Sequence, residues 1–496
     1  MLQGLVMTKA RTPVNSKPKA IRGRAVTLDT AYRALEPTPL LKAEDFAAFY
    51  RDDINKFRGE DCVARLQLGL ERAAGAQYYK ALLMGHPGVG KSTELTRLLR
   101  QESIVAKYNP IRLSVMEDLD PGAFKPFDVP LVMLHEMVEH TKKPRREGGI
   151  GKAPADALLG KVLRWFATET SKMEQSTAVA ASAGAGAGPG ATGVLAKFLG
   201  LFVNLRGEMK YASTRRKEVV DYRLSQLNSL LEACNDLMRE CNRQLMDDQG
   251  REWLFVVEDF DKAGVRPEAT EDFFITYANV VRGLQCHLVF TLPVALGYSA
   301  KAFDLPVPGQ QVFCIHDNTV FDRKHRPHDA SRMAIRAVLE GRVDPELFAD
   351  GQIERLIVAS GGNLRDLFEL TSRSCDSALL RGAAQVEADD VTKSIRETRS
   401  RYERRLGDSP HDEALSADGR ERITYDKKAE LMLRICRGEE DAKVPNAVLY
   451  SLLRSRAVQE FNGDRWFGIH PLVVDILAAQ GRIERQSDGK VLGGTI

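Results

Sequence analysis

The octet Gly85-His86-Pro87-Gly88-Val89-Gly90-Lys91-Ser92 constrains this chain more than any other stretch. It fits G-x-x-x-x-G-K-[ST], a loop that cradles phosphate groups between a strand and a helix. The context agrees: an apolar run from Tyr79 to Met84 leads in, and a helix-like run from Thr93 to Leu99 leads out. The glycines at 85, 88 and 90 let the backbone curl with its N–H groups inward, and the helix start behind them favours a bound anion. Lys91 is spaced to reach the β- and γ-phosphates of a nucleoside triphosphate, and the Ser92 hydroxyl to ligate Mg²⁺. The expected nucleotide contacts are Gly85, His86, Pro87, Gly88, Val89, Gly90, Lys91, Ser92 and Thr93, with ATP and Mg²⁺ as ligands.

Composition sets the outer limits. A chain of 496 residues holds about three domains. With 43% hydrophobic and 28% charged residues it belongs with soluble globular proteins, and a net charge of +3 does not by itself argue for nucleic acid. The seven cysteines (Cys62, Cys234, Cys241, Cys286, Cys314, Cys375, Cys436) are scattered, odd in number and form no CxxC pair. That pattern predicts reduced thiols in a cytoplasmic protein, neither a disulfide framework nor a zinc site. The run Met1 to Met7 is too short for a secretory h-region.

Along the chain, residues 1–28 carry six Lys/Arg and no acid, the composition of a disordered basic arm. Residues 29–56 look helical, and a helix is predicted from Asp61 to Ala73 with Val63, Leu66, Leu68 and Leu70 as its apolar members. A second strand is predicted at Ile111–Val115. Between about 127 and 250 lies a long insert with helical segments at Val129–Thr141, Ala155–Met173 and Arg216–Gln249. Its Gly/Ala-rich centre, from Ala178 to Gly193, is too weakly hydrophobic for a membrane span; a flexible loop with an apolar anchor at Phe198–Leu205 is expected.

The run from Trp253 to Lys262 is the second strong signal. Five apolar residues make a strand buried on both faces, and Glu258 and Asp259 follow at its carboxyl end, where parallel sheets bind ligands. One acid would hold Mg²⁺ and the other would orient the attacking water. Cys286–Leu292 makes a further strand ending on Thr291, whose hydroxyl could bond the γ-phosphate, and Gln311–His316 makes a fifth. The fold class expected is therefore α/β, a parallel sheet with helical crossovers. From Asp317 the pattern becomes helical: Asp329–Glu340, Pro345–Phe348, Gln352–Ala359, Leu364–Leu380 and Ala388–Leu406. Arg365 starts one of these helices, where a cation does not help the helix dipole, so a phosphate contact is the better reading. Residues 393–405 hold six bases and two acids. Residues 407–419 form a linker. Helices at Tyr425–Cys436 and Asn446–Ser455, a hairpin turning at Asn462-Gly463 and a helix opening at Pro471 together predict a winged-helix-like domain over 420–496. Its second helix is poor in groups that contact DNA.

Taken together, the loop, the strand-ending acids, the polar strand end, Gly361-Gly362-Asn363-Leu364-Arg365 and the C-terminal module resemble the AAA+/STAND side of the P-loop ATPases. Within it they are similar to prokaryotic origin-recognition-like ATPases of bacterial conflict, or anti-phage, systems. The resemblance implies a P-loop core over 29–317 with the insert at about 127–250, and a helical lid over 318–406. It matches Lys91 and Ser92 to Walker A, Glu258 and Asp259 to Walker B, Thr291 to sensor 1 and Arg365 to sensor 2. It sets Phe57–Glu60, with Arg58, at the adenine or ribose. The order Glu-Asp departs from the family's usual Asp-Asp or Asp-Glu, so either acid could be the metal partner; Ser92 and Glu258 are the metal ligands expected. Pro293–Gln310 has no arginine, which implies slow hydrolysis, a finger elsewhere (Arg266 or Arg282), or none. The function implied is an ATP-binding, slowly hydrolysing switch acting on a separate effector protein, with a homo-oligomer possible. The rivals are a DNA-binding initiator or loader ATPase and a non-catalytic, nucleotide-stabilised scaffold.

Overall fold

The structure is a computed structural model. It describes residues 23–73, 77–174, 193–200, 217–407, 413–416, 419–461, 466–485 and 491–493. Its centre is a five-stranded parallel sheet of β1 (Lys80–Gly85), β2 (Tyr108–Ser114), β3 (Glu252–Glu258), β4 (His287–Pro293) and β5 (Val312–Cys314), in the order β2-β3-β4-β1-β5. The strands read as continuous apolar runs because both faces are covered. Side chains alternate along each one: Leu82, Phe255, Val257, Leu288 and Phe290 enter one core, while Leu83, Leu254, Val256 and Val289 enter the other. The P-loop strand β1 lies between β4 and β5, so β4 separates it from the acid-bearing β3. This strand order, with the glycine loop at the end of β1, is the AAA+ form of the P-loop fold.

Helices Cys62–Arg72 and Lys91–Leu99 cover one face. The first is capped by Asp61, whose carboxylate accepts from the Val63 and Ala64 amides, and it buries Val63, Leu66 and Leu70. Leu68, also an apolar member of the predicted helix, lies on the opposite side from Leu66 and Leu70 and is 42% exposed. The other face is covered by the insert. Helices Asp128–Lys142, Asp156–Glu174 and Leu227–Gln249 bury Leu134, Val138, Leu159, Leu237 and Cys241 in one core with Phe255 and Phe290. These parts of the insert are thus a layer of the sheet domain's core, because the apolar sheet face beneath them needs a cover. Phe198 is fully buried in the same core. The Gly/Ala-rich centre and the rest of the anchor fall outside the described residues.

A second body contains the lid helices Asp329–Glu340, Gln352–Ala359, Leu364–Leu380 and Ala388–Leu406. The hairpin of β6 (Glu413–Ser416) and β7 (Gly419–Arg422) follows. Next come helices Tyr425–Cys436 and Ala447–Ser455, the antiparallel pair β8 (Val458–Phe461) and β9 (Trp466–Ile469), and helix Pro471–Ala479. Lid and C-terminal module share one apolar core, in which Tyr402 and Leu406 meet Leu472 and Leu477. Ala25 and Leu28, which the sequence places in a disordered arm, join that core; Ala25 donates to Arg342 O and pairs with Val343. Residues 1–22 lie outside the described residues. Among the described residues, no helix is long and apolar enough to cross a membrane, and all seven cysteines are free thiols.

Candidate functional site

The carboxyl ends of β1, β3 and β4 open into a cleft roofed by the N-terminal segment Pro37–Leu40 and by the lid. Gly88, Val89, Gly90, Lys91, Ser92 and Thr93 line its floor. Gly88 and Gly90 take φ of 99° and 103°, which only glycine adopts at low cost. At Gly88 a side chain is also sterically excluded, since a Cβ would stand 2.4 Å from Asn363 Oδ1 and 2.5 Å from Arg365 Cβ. The lid therefore rests directly on the phosphate loop. Lys91, 6% exposed, donates to Gly85 O at 2.7 Å, His86 O at 3.1 Å and Asp261 Oδ2 at 2.7 Å.

Six bases (Arg51, Arg58, Lys91, Lys262, Arg342, Arg365) and three acids (Glu94, Asp259, Asp261) line the cleft. That excess of positive charge suits a polyphosphate carrying one divalent ion. The opposite end is apolar, with Leu40, Phe49, Ile54, Val338 and Phe368, as a flat base requires. Arg58 is buried and donates to Val89 O at 2.8 Å, so it braces the loop from behind as well as lining the cleft. Thr291 and Arg365 also line it.

The two strand-ending acids part company. Asp259 faces the cleft at φ 76°, a left-handed conformation that costs a non-glycine residue about 1–2 kcal/mol. Its Oδ2 accepts from Ser114 Oγ at 2.6 Å. Glu258 does not line the cleft. Its Oε1 accepts from Arg112 Nε at 2.9 Å, while its Oε2 is buried with no hydrogen-bond partner. Thr291 Oγ1 is likewise buried without one. The unsatisfied Thr291 hydroxyl on the cleft wall fits a phosphate oxygen, and the carboxylates of Asp259 and Asp261 beside the Ser92 hydroxyl are an oxygen donor set that suits Mg²⁺. Ser92, Asp259 and Asp261 would hold the ion directly or through water. Asp261 was not singled out from the sequence, although its spacing from Asp259 places both acids just past one strand end.

Gly85, His86 and Pro87 do not line the cleft and serve the back of the loop. Pro87 O accepts from Asn363 Nδ2 at 3.2 Å and from Arg456 Nη1 at 3.2 Å. Arg456 belongs to the C-terminal module, between helix Ala447–Ser455 and β8. It is buried, takes φ 62°, and also donates to Asn363 Oδ1 at 3.3 Å and Asp366 Oδ1 at 2.9 Å. Tyr402 OH donates to Asp366 Oδ2 at 2.7 Å, and the His470 ring stacks on Tyr402. A single arginine thus connects the phosphate loop, the lid and the C-terminal module. Nothing in its sequence surroundings, Ser455-Arg456-Ala457, sets it apart. Of the two arginines considered as fingers, Arg282 donates to Asp304 O at 2.9 Å and Leu305 O at 3.2 Å within its own chain, whereas Arg266 is exposed.

No family model matches the chain, and no curated protein matches it. Similar solved structures include Cdc6p from Pyrobaculum aerophilum, 13% identical with a TM-score of 0.36, covering 90% of this chain and 93% of that one. The Aeropyrum pernix ORC1 protein in complex with DNA is 14% identical with a TM-score of 0.34, over 93% of this chain and 91% of that one. The RuvB Holliday junction branch migration motor of Thermotoga maritima is 10% identical with a TM-score of 0.33, over 93% of this chain and 96% of that one. The fold assignment rests on the strand order and the loop position described above.

Two imidazoles in this region make the fold acid-sensitive. Burial first, then the Arg456 and Lys91 charges, pushes His86 down to about 3. Burial pushes His470 down to about 4. Both are neutral in the folded chain, whereas an unfolded histidine takes its proton near 6.5. Between those values the unfolded state binds more protons, so stability falls as pH drops below about 6.5. Thermal scans at about pH 5 are expected to show a lower midpoint than at about pH 7.5; a flat profile would contradict the neutral assignment.

Proposed function

We propose that this chain is an ATP-binding, slowly hydrolysing switch that couples nucleotide state to the position of its lid and C-terminal module. The observation that carries the reading is the meeting of Arg456 and Asn363 on Pro87 O, at the back of the loop whose front faces the cleft. Phosphate arriving at Lys91 would draw it from Asp261. Arg365 would meet the γ-phosphate, and Thr291 would hold the phosphate or the lytic water. A shift of the loop then changes its fit to Asn363 and Arg456. Because lid and module share one core, they would move as a unit and alter the surface shown to an effector protein. Helix Ala447–Ser455, where a winged-helix module would read DNA, turns Leu449, Leu452 and Leu453 fully inward, and Tyr450 and Arg454 line a groove with Glu268 and Glu271 of the core. In this conformation that helix is a packing element.

Single-turnover ATP hydrolysis by the wild type and by Thr291→Val tests the reading. Valine keeps the shape and removes an unpartnered hydroxyl, so ATP affinity and melting temperature should hold while the rate drops about 10²-fold, as for loss of one transition-state donor. A wild type that neither binds nor turns over ATP would end the proposal. A DNA-dependent, initiator-like ATPase is the second reading. It is favoured by Lys393, Arg396, Arg404 and Arg405, all exposed on helix Ala388–Leu406. The same assay with duplex DNA at low salt discriminates: stimulation that fades as salt rises belongs to the second reading.

A further inference from the structure

Cys314 ends β5, and Ile315 extends the ladder by donating to Met84 O at 2.9 Å. On extended backbone residues two apart share a face, so Cys314 and His316 project together while Phe313 and Ile315 enter the sheet's core. The face they occupy meets β8 of the C-terminal module, which contributes Glu460. One ligand atom from each of Cys314, His316 and Glu460 lies within 4.8 Å of the others. His316 is 7% and Glu460 2% exposed. His316 Nδ1 is buried without a hydrogen-bond partner and stands 3.5 Å from Glu460 Oε2. That separation is close to the roughly 3.4 Å edge that nitrogen and oxygen ligands span around tetrahedral zinc, and longer than a good hydrogen bond.

We propose that Cys314, His316 and Glu460 form a zinc site that clasps the C-terminal module to the edge of the ATPase sheet, with water as the fourth ligand. Thiolate, imidazole and carboxylate together are a donor set for a borderline-soft divalent ion, unlike the all-oxygen sets that Mg²⁺ and Ca²⁺ take. Binding replaces the thiol proton of Cys314, which is released to solvent, by a sulfur–metal bond. A filled clasp fixes β8, and with it Arg456 two residues upstream, so zinc would favour the state in which the module touches the P-loop.

Co²⁺ added to the purified full chain provides the test, since a thiolate–cobalt bond gives a near-ultraviolet charge-transfer band. Wild type is expected to take one Co²⁺ per chain with that band and to lose it on adding Zn²⁺. The band should be absent in Cys314→Ser and unchanged in Cys62→Ser. His316→Gln and Glu460→Gln should each weaken binding by at least about tenfold, the smallest loss typical even of groups that only support a ligand. Circular dichroism of each variant confirms that it is folded; should Cys314→Ser fail that control, the His316→Gln and Glu460→Gln affinities decide. No band in the wild type, or a stoichiometry that survives these substitutions, overturns the proposal.

Discussion

Lys91→Ala is expected to lower ATP affinity at least about 100-fold. Hydrogen bonds from a charged donor are worth about 1.5–3 kcal/mol each, and Lys91 is placed to make more than one to the phosphates. The same change strands Asp261, whose side chain is 5% exposed and pairs with Lys91. Removing one member of a buried pair costs about 3–5 kcal/mol. Lys91→Ala should therefore both melt earlier and bind poorly, and the two effects separate with a second substitution. Lys91→Ala with Asp261→Asn removes the stranded charge, so stability should return while affinity does not. Calorimetric titration with ATP·Mg²⁺ and thermal scans of both variants check this. Retained affinity in the stable double variant would remove Lys91 from the site.

Arg456→Gln should have the second largest effect, and on two observables. Asp366 is buried; burial raises its pKa, but the Arg456 charge and the Tyr402 hydroxyl outweigh that and hold the carboxyl below the usual range. Its ion pair therefore contributes stability above about pH 4, which is lost as pH falls through the lowered value. Without Arg456 the carboxylate remains buried, at about 3–5 kcal/mol, a melting shift on the order of 4 °C for a chain of this length. Asp366→Asn in the same chain should recover part of it. The second observable is coupling. In the wild type, ATP should change hydrogen exchange in β8, and in Arg456→Gln/Asp366→Asn that response should vanish although ATP still binds. An intact response would mean that the loop reaches the module by another route.

Much of the core is legible in the sequence. Lid helices Asp329–Glu340, Gln352–Ala359, Leu364–Leu380 and Ala388–Leu406 have the bounds that their 3.6-residue apolar periodicity predicts. The strands have the apolar runs that burial on both faces demands. Where expectation and structure diverge, the cause is tertiary. The insert's helices look separable in one dimension, yet they fill an apolar sheet face that would otherwise meet water. Glu258 and Asp259 are adjacent in sequence, but Glu258 ends β3 against Arg112 while Asp259, at φ 76°, leaves the strand and faces the cleft.

The sequence by itself determined the phosphate loop, the apolar strand that leads into it and the acids past β3, because these depend on neighbours a few residues apart. Only the tertiary structure decided which acid meets Lys91, what stands behind Pro87, and that Cys314, His316 and Glu460 converge. Those juxtapositions join residues separated by 144 to 369 positions. Spacing rules read along the chain, including the missing CxxC that argued against a zinc site, carry no information about such pairs; the sheet brings Asp261 to Lys91, and packing of the C-terminal module on the sheet creates the others.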